Sequence, residues 1–239
     1  MVSHFGEVVF PSSRAFWDDE DEYESAENLE QHTELCVRWL REKPERMQKL
    51  IIMEGNPLIS FVEQCFCREA EKVCVIKNDN QKEVSAIYHI EKQIYLCVIL
   101  PLFAMKDAAG FISQISEVLL STENIMSVVC HHVSQFQGTN IPEVPSFLRV
   151  LTTRNANNAE CKIQSLDQPN IVFGVGAGVL SYAEFMGISA KLYVLYIDSF
   201  VLDSKCAEPM LKILPTEMQR KLQNPKCTNT FFSKGNLYM

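Results

Sequence analysis

Residues 168–198 read QPNIVFGVGAGVLSYAEFMGISAKLYVLYID. The short run Asn170–Phe173 enters a turn in which every second residue is glycine: Gly174, Gly176 and Gly178. Val179–Met186 has helical character, Gly187 stops it, and a longer apolar run, Ala190–Ile197, ends at Asp198. Strand, turn, helix and strand in that order predict a right-handed βαβ crossover within a buried parallel sheet.

A second unit of the same kind lies upstream. Lys49–Met53 (KLIIM) is a continuous apolar run of strand length, followed by the turn Gly55-Asn56-Pro57. Pro57 suits the first position of a helix over Pro57–Phe66, in which Leu58, Phe61, Val62 and Cys65 recur at three- and four-residue steps. Between the two units, Lys72–Ile76 reads as a strand. Val84–Ile90 and Ile94–Phe103 read as a hairpin, Asp107–Leu120 as an amphipathic helix, Ile125–Val133 as a strand, and Phe147–Thr152 as a strand or turn. Two further helices are predicted over Ser204–Leu214 and Thr216–Leu222, and a helix over Glu27–Glu42 precedes the first unit. The expected architecture is a single α/β domain of three αβα layers on a mixed, mostly parallel sheet. The expected division is an N-terminal segment over 1–45 with an acidic linker and a short helix, an α/β domain over 46–222, and a flexible C-terminal tail over 223–239.

Of the 239 residues, 47% are apolar and 22% charged, the balance of an ordinary globular domain. Tyr95–Met105, interrupted by Pro101, is too short to span a bilayer, and MVSHFGEVVF lacks the basic and apolar regions of a secretory signal. A cytoplasmic or nucleocytoplasmic protein is expected, with no membrane partner. The net charge of −8 is concentrated: residues 1–34 carry ten acids and one base, leaving the remainder near neutral. That excludes a broad basic field for nucleic acid. The run Asp18–Glu24 reads as a solvated linker, or as a contact for a basic partner. Nine irregularly spaced cysteines with no secretory signal predict free thiols.

Gly174, Gly176 and Gly178 follow a predicted strand and open a helix, where backbone amides can cradle a phosphate. Neither familiar fingerprint is complete. No lysine follows as in a P-loop, and Val179 stands where a dinucleotide motif needs its third glycine. The alternative is that the glycines permit a tight turn and close helix–sheet packing. Cys65, Cys67, Cys74, Cys130, His131 and His132 invite a zinc reading, but their placement in predicted helix and strands favours buried thiols. Asp198 and Asp203 stand at the end of a strand and in the loop beyond, where carboxylates line active sites or close turns. His89, His131 and His132 fall in strand patterns with no nucleophile–base–acid arrangement, so no catalytic residue, cofactor or metal is assigned. The C-terminal Leu237-Tyr238-Met239 joins an apolar anchor, an aromatic ring with a polar tip and a carboxylate.

Several stretches together resemble the proteasome assembly chaperone 1 family. They are FGEVV with the acidic run after it, KLIIMEGN, IYHIEKQIYLC, SFLRVLTTRN, and QPNIV with AGVLSYAEFMGISAKLYVLYID. The resemblance implies a non-enzymatic chaperone of the proteasome core particle. It implies a heterodimer with proteasome assembly chaperone 2, of related α/β fold, that sits on the outer face of the α-ring. It further implies that Leu237, Tyr238 and Met239 act as a hydrophobic–tyrosine–any tail entering a pocket between α-subunits, with the carboxylate paired to a lysine.

Overall fold

A computed structural model of the chain describes residues 34–138, 141–157, 163–199, 202 and 204–222. The chain divides into two units, Met1–His32 and Thr33–Met239, and every described residue belongs to the second. Eight strands form one sheet: β1 (Cys36–Trp39), β2 (Met47–Glu54), β3 (Glu71–Lys77), β4 (Glu83–Glu91), β5 (Ile94–Ile99), β6 (Thr122–His132), β7 (Ser146–Thr152) and β8 (Ser189–Ile197). Their spatial order is β1-β3-β4-β5-β2-β6-β8-β7. The helices are α1 (Asn56–Val62, continued by a π-turn over Glu63–Cys67), α2 (Ala108–Gln114), α3 (Ser116–Leu120), α4 (Val175–Met186), α5 (Ser204–Leu211) and α6 (Thr216–Leu222).

The three-layer expectation holds, and side-chain alternation shows why. Along β2, Ile51 and Met53 point to one face and meet Leu58 and Phe61 of α1 and Met210 of α5. Leu50 and Ile52 point to the other face and meet Phe111 of α2, Val118 of α3, and Val175 and Val179 of α4. All four β2 residues are fully buried, so the continuous run KLIIM is apolar on both sides because helices cover both sides. The sheet is mixed, as expected, and the expected mostly parallel character holds only in part. Its parallel part is the central block β5-β2-β6-β8, which accounts for three of the seven pairings. The flanks β1-β3-β4-β5 and β7-β8 are antiparallel; within them the β4–β5 turn at Lys92 returns the chain at once, while β7 and β8 are joined through α4.

Two sequence expectations are corrected. Asn170–Phe173 is not a strand but a loop entering α4, and the strand before it, β7, runs antiparallel to β8. There is therefore no βαβ crossover at the glycine turn. The run is apolar yet outward: Ile171 is 79% and Phe173 54% exposed, so burial does not hold it in a sheet. The predicted helix over Glu27–Glu42 is also wrong where it is described. Cys36–Trp39 is an edge strand paired antiparallel with β3, with Val37 and Trp39 packed against the core and Cys36 and Arg38 exposed. That is a period of two, and it extends the sheet to residues the expected boundary at 45/46 left outside. The predicted helix Asp107–Leu120 is present but breaks at Ile115 into α2 and α3.

Candidate functional site

The carboxyl ends of the central parallel strands are where an α/β sheet ordinarily holds a ligand. Here that position is filled from within the chain. Glu54 ends β2, and its carboxylate faces the first turn of α4. The Val175 N–H donates to Glu54 Oε1 at 3.0 Å and the Gly176 N–H to Oε2 at 2.8 Å. Gly174, the residue before the helix, has φ 102° and no side-chain cap of its own. Glu54 supplies that cap from 121 residues away, and its negative charge suits the positive end of the helix. Burial raises the Glu54 pKa, and the two amide hydrogen bonds work against that rise.

The glycines are the steric condition for this arrangement. A Cβ on Gly174 would stand 2.4 Å from Glu54 Oε1. On Gly176 it would stand 2.7 Å from Val129 Cγ1 and 3.2 Å from Leu192 Cδ1, and on Gly178 2.4 Å from Ile112 Cδ1. The first turn of α4 therefore lies directly on β6, β8 and α2, with a carboxylate on two of its amides. A phosphate would have to displace that carboxylate, and would meet like charge while doing so. Of the two readings of Gly174, Gly176 and Gly178, tight turn and close packing is the one the geometry bears out. No sequence signal links Glu54 to the turn, because an acid at a strand end is common and its partner is distant.

The other residues singled out from sequence do not converge. His131 is half-buried, 5.5 Å from the Phe173 ring and 6.0 Å from Tyr196 between centroids, and burial lowers its pKa. His132 Nδ1 lies 2.8 Å from Ser134 Oγ and accepts the Ser134 N–H at 3.2 Å, closing the turn after β6. His89 Nε2 lies 2.6 Å from the Lys92 carbonyl oxygen at the β4–β5 turn. Asp198 is exposed at the end of β8, with Cys206 Sγ 3.9 Å from its Oδ1. Cys65, Cys67, Cys74 and Cys130 are free thiols, and among the described residues no group of three or more His, Cys, Asp or Glu could hold a metal. Burial pushes the Cys67 and Cys74 thiols up to about 11 and Cys130 up to about 12, so they stay protonated and inert. Asp203 and the tail residues Leu237, Tyr238 and Met239 lie outside the described residues.

Sequence reasoning missed an aromatic group beside β7. Phe136, Phe147 and Tyr196 lie within 5.2 Å of one another between centroids, and the Arg149 guanidinium sits 4.8 Å from the Phe147 ring and 5.2 Å from Phe136. Arg149 is only 8% exposed and donates to the Leu148 carbonyl oxygen at 3.0 Å. The rings receive the cation where water does not, and the group ties the loop after β6 to the edge of the sheet.

At the opposite, amino end of the parallel block the described chain makes its exit. Lys92, at the β4–β5 turn, pairs with Glu217 of α6 at 3.4 Å, and α6 ends the described residues at Leu222. Among those residues no helix is long and apolar enough to cross a membrane.

Comparison with known proteins adds identity to this geometry. The family model described as proteasome assembly chaperone 4 matches residues 60–235. Human proteasome assembly chaperone 1 is 27% identical over 261 aligned positions, covering 92% of this chain and 90% of that protein. The Callithrix jacchus protein of the same name is 26% identical at the same coverage. Among solved structures, Pyrococcus furiosus PbaA, an archaeal homolog of proteasome-assembly chaperone, superposes with a TM-score of 0.57 at 11% identity, over 81% of this chain and 89% of that one. Pyrococcus furiosus PbaB, an archaeal proteasome activator, gives 0.55 at 12% identity over 84% and 98%. At those identities the two archaeal proteins speak to the fold alone.

Proposed function

Because the chain belongs to the proteasome assembly chaperone 1 family, we propose that it promotes assembly of the proteasome core particle by binding the α-ring, without catalysis, as a heterodimer with proteasome assembly chaperone 2. The observation that carries this reading against an enzymatic one is the Glu54 carboxylate on the Val175 and Gly176 amides. The feature most suggestive of substrate chemistry is an internal helix cap. Reversible docking would reside in the tail: Leu237 in an apolar cleft, Tyr238 against the pocket wall, and the Met239 carboxylate on a lysine. From Gln223 to Met239 the tail has 17 residues and reaches about 55–60 Å when extended. A tail of this kind binds weakly by itself, and a second contact on the same dimer raises its effective concentration. We place the protein in the cytoplasm or nucleus, where the free thiols of the described residues remain reduced.

The test uses two variants, one lacking Leu237–Met239 and one with a residue added after Met239. Both are expected to keep the wild-type melting temperature and to bind purified α-rings more weakly. Unchanged binding by both would overturn tail docking. Co-purification of the untruncated chain without proteasome α-subunits or a second α/β chaperone would overturn the assignment itself.

A further inference from the structure

On the face of the sheet that carries α1 and α5, side chains run in rows set by the strand register. The row Val98, Met53, Val128 and Tyr193 is buried beneath the helices. Two rows nearer the amino end, Ile94, Lys49, Asn124 and Ser189 stand side by side across β5, β2, β6 and β8. Between them Met126 neighbours Lys191. Helix coverage stops here, and a groove of about 880 Å³ opens. Lys49 and Lys191 form its floor with Asn124 and Met126, and Lys212, beyond the end of α5 and paired with Glu208 at 2.8 Å, stands on its wall.

Three features distinguish this groove from an ordinary solvated surface. Lys49 and Lys191 lie on the face of central strands that carries the α1–α5 core, two residues along from buried Ile51 and Tyr193, where apolar residues are usual. Among the described residues neither ammonium has an ion pair, and Glu217, the one carboxylate in the described lining, is already held by Lys92. The floor also offers Met126 and Ile94, so it suits a chain with apolar as well as acidic side chains. Pro215 and Glu217, at the start of α6, line the groove. At a rise of about 1.5 Å per residue, Leu222 lies roughly 8 Å along the helix from Glu217. The chain therefore leaves the described body beside the groove.

We infer that this groove is a second contact with the α-ring, taking an extended acidic segment of an α-subunit onto Lys49 and Lys191. The inference rests on the proposed α-ring binding, and it assigns the amino end of the sheet to the ring-facing side. It supplies the companion contact that a weak tail requires, from the end of the molecule at which the tail begins. Its charge pairs act mainly on association rate and salt dependence.

The test is charge reversal in the full chain paired with its partner chaperone. K49E/K191E and the neutral K49Q/K191Q are compared with wild type and with the variant lacking Leu237–Met239, by binding to purified α-rings at 50 and 300 mM salt. The two lost pairs should weaken binding about tenfold at low salt in K49E/K191E and less in K49Q/K191Q. The difference should narrow at high salt, with melting temperatures within a degree of wild type. A photo-crosslinker at Gln48, on the exposed lip, should join acidic α-subunit peptides. If K49E/K191E binds like wild type while the tail deletion weakens binding, the groove contact is overturned and tail docking stands. If neither variant weakens binding, tail docking falls as well. If K49E/K191E fails to fold but K49Q/K191Q folds and binds like wild type at both salts, the groove contact is likewise overturned.

Discussion

Glu54→Ala is the sharpest perturbation of the fold. It removes the acceptors of the Val175 and Gly176 N–H groups together, and both residues are buried. Loss of a side-chain helix cap costs about 0.5–2 kcal/mol, and a buried donor left unpaired costs about 1–3 kcal/mol. Against this, the deletion relieves the burial of a charge, which is the leading cause of the raised Glu54 pKa. A net loss of about 2–3 kcal/mol follows, and with a urea m-value of about 2–3 kcal/mol/M the midpoint should fall by roughly 1 M. The pH dependence has a definite sign. The unfolded carboxyl titrates near 4.5 and the folded one above it, so between those values the folded state holds more protons. This contribution to stability is fully present below pH 4.5 and is lost as pH rises through the folded value. Glu54→Gln, which cannot ionise but keeps one carbonyl acceptor, should be flatter over that window and stay above alanine at pH 7. Equilibrium urea unfolding followed by circular dichroism from pH 4 to 8 measures both effects. Glu54→Ala should also expose its amide pair to anions, so inorganic phosphate should raise its midpoint and leave the wild-type midpoint unmoved. An alanine midpoint within about 0.2 M of wild type would refute the capping argument. Wild-type stabilisation by phosphate would revive the phosphate reading of Gly174–Gly178.

Two further predictions concern packing and thiols. Gly178→Ala puts its Cβ 2.4 Å from Ile112 Cδ1 and should cost about 1–3 kcal/mol. Because the clash is with the tip of a flexible side chain, Ile112→Val should recover part of it, and strictly additive losses in the double mutant would contradict the contact. Cys97 is wholly buried, its thiol pushed up to about 12 with Ser85 Oγ 3.5 Å from its sulfur. Iodoacetamide at pH 8 should alkylate exposed Cys36 within minutes and leave Cys97 intact until denaturant is added, and native-state labelling of Cys97 in peptide mass maps would count against the sheet register.

Where a residue's neighbours are close in sequence or its burial is two-sided, the fold was legible in the chain. KLIIM at β2, the hairpin around Lys92 and the helix stop at Gly187, with φ 71°, all follow from local pattern. The errors fall where hydrophobicity and burial part company. Asn170–Phe173 reads as a strand by composition, but nothing covers Ile171. Cys36–Trp39 lies beside charged residues that mimic a helix surface, and only pairing with β3 settles its period. The glycine turn was legible as a packing device. Its occupant was not, since Glu54 reaches it through tertiary structure alone. The groove lysines were equally hidden: Lys49 opens an apolar run and Lys191 interrupts one, and only strand register brings them to one floor.

The outer edge of β7 has one more consequence. Val150 turns both backbone groups away from β8: its N–H donates to the Gln164 carbonyl oxygen at 3.1 Å and its own oxygen accepts the Leu166 N–H at 2.9 Å. A short parallel bridge to Ser165 thus covers the middle of that strand. The far edge, β1, is only four residues long and carries Arg38 outward. An exposed sheet border is a template onto which foreign strands can pair. Among the described residues, with the middle of one border covered and the other brief and charged, this sheet offers such strands little to copy themselves onto.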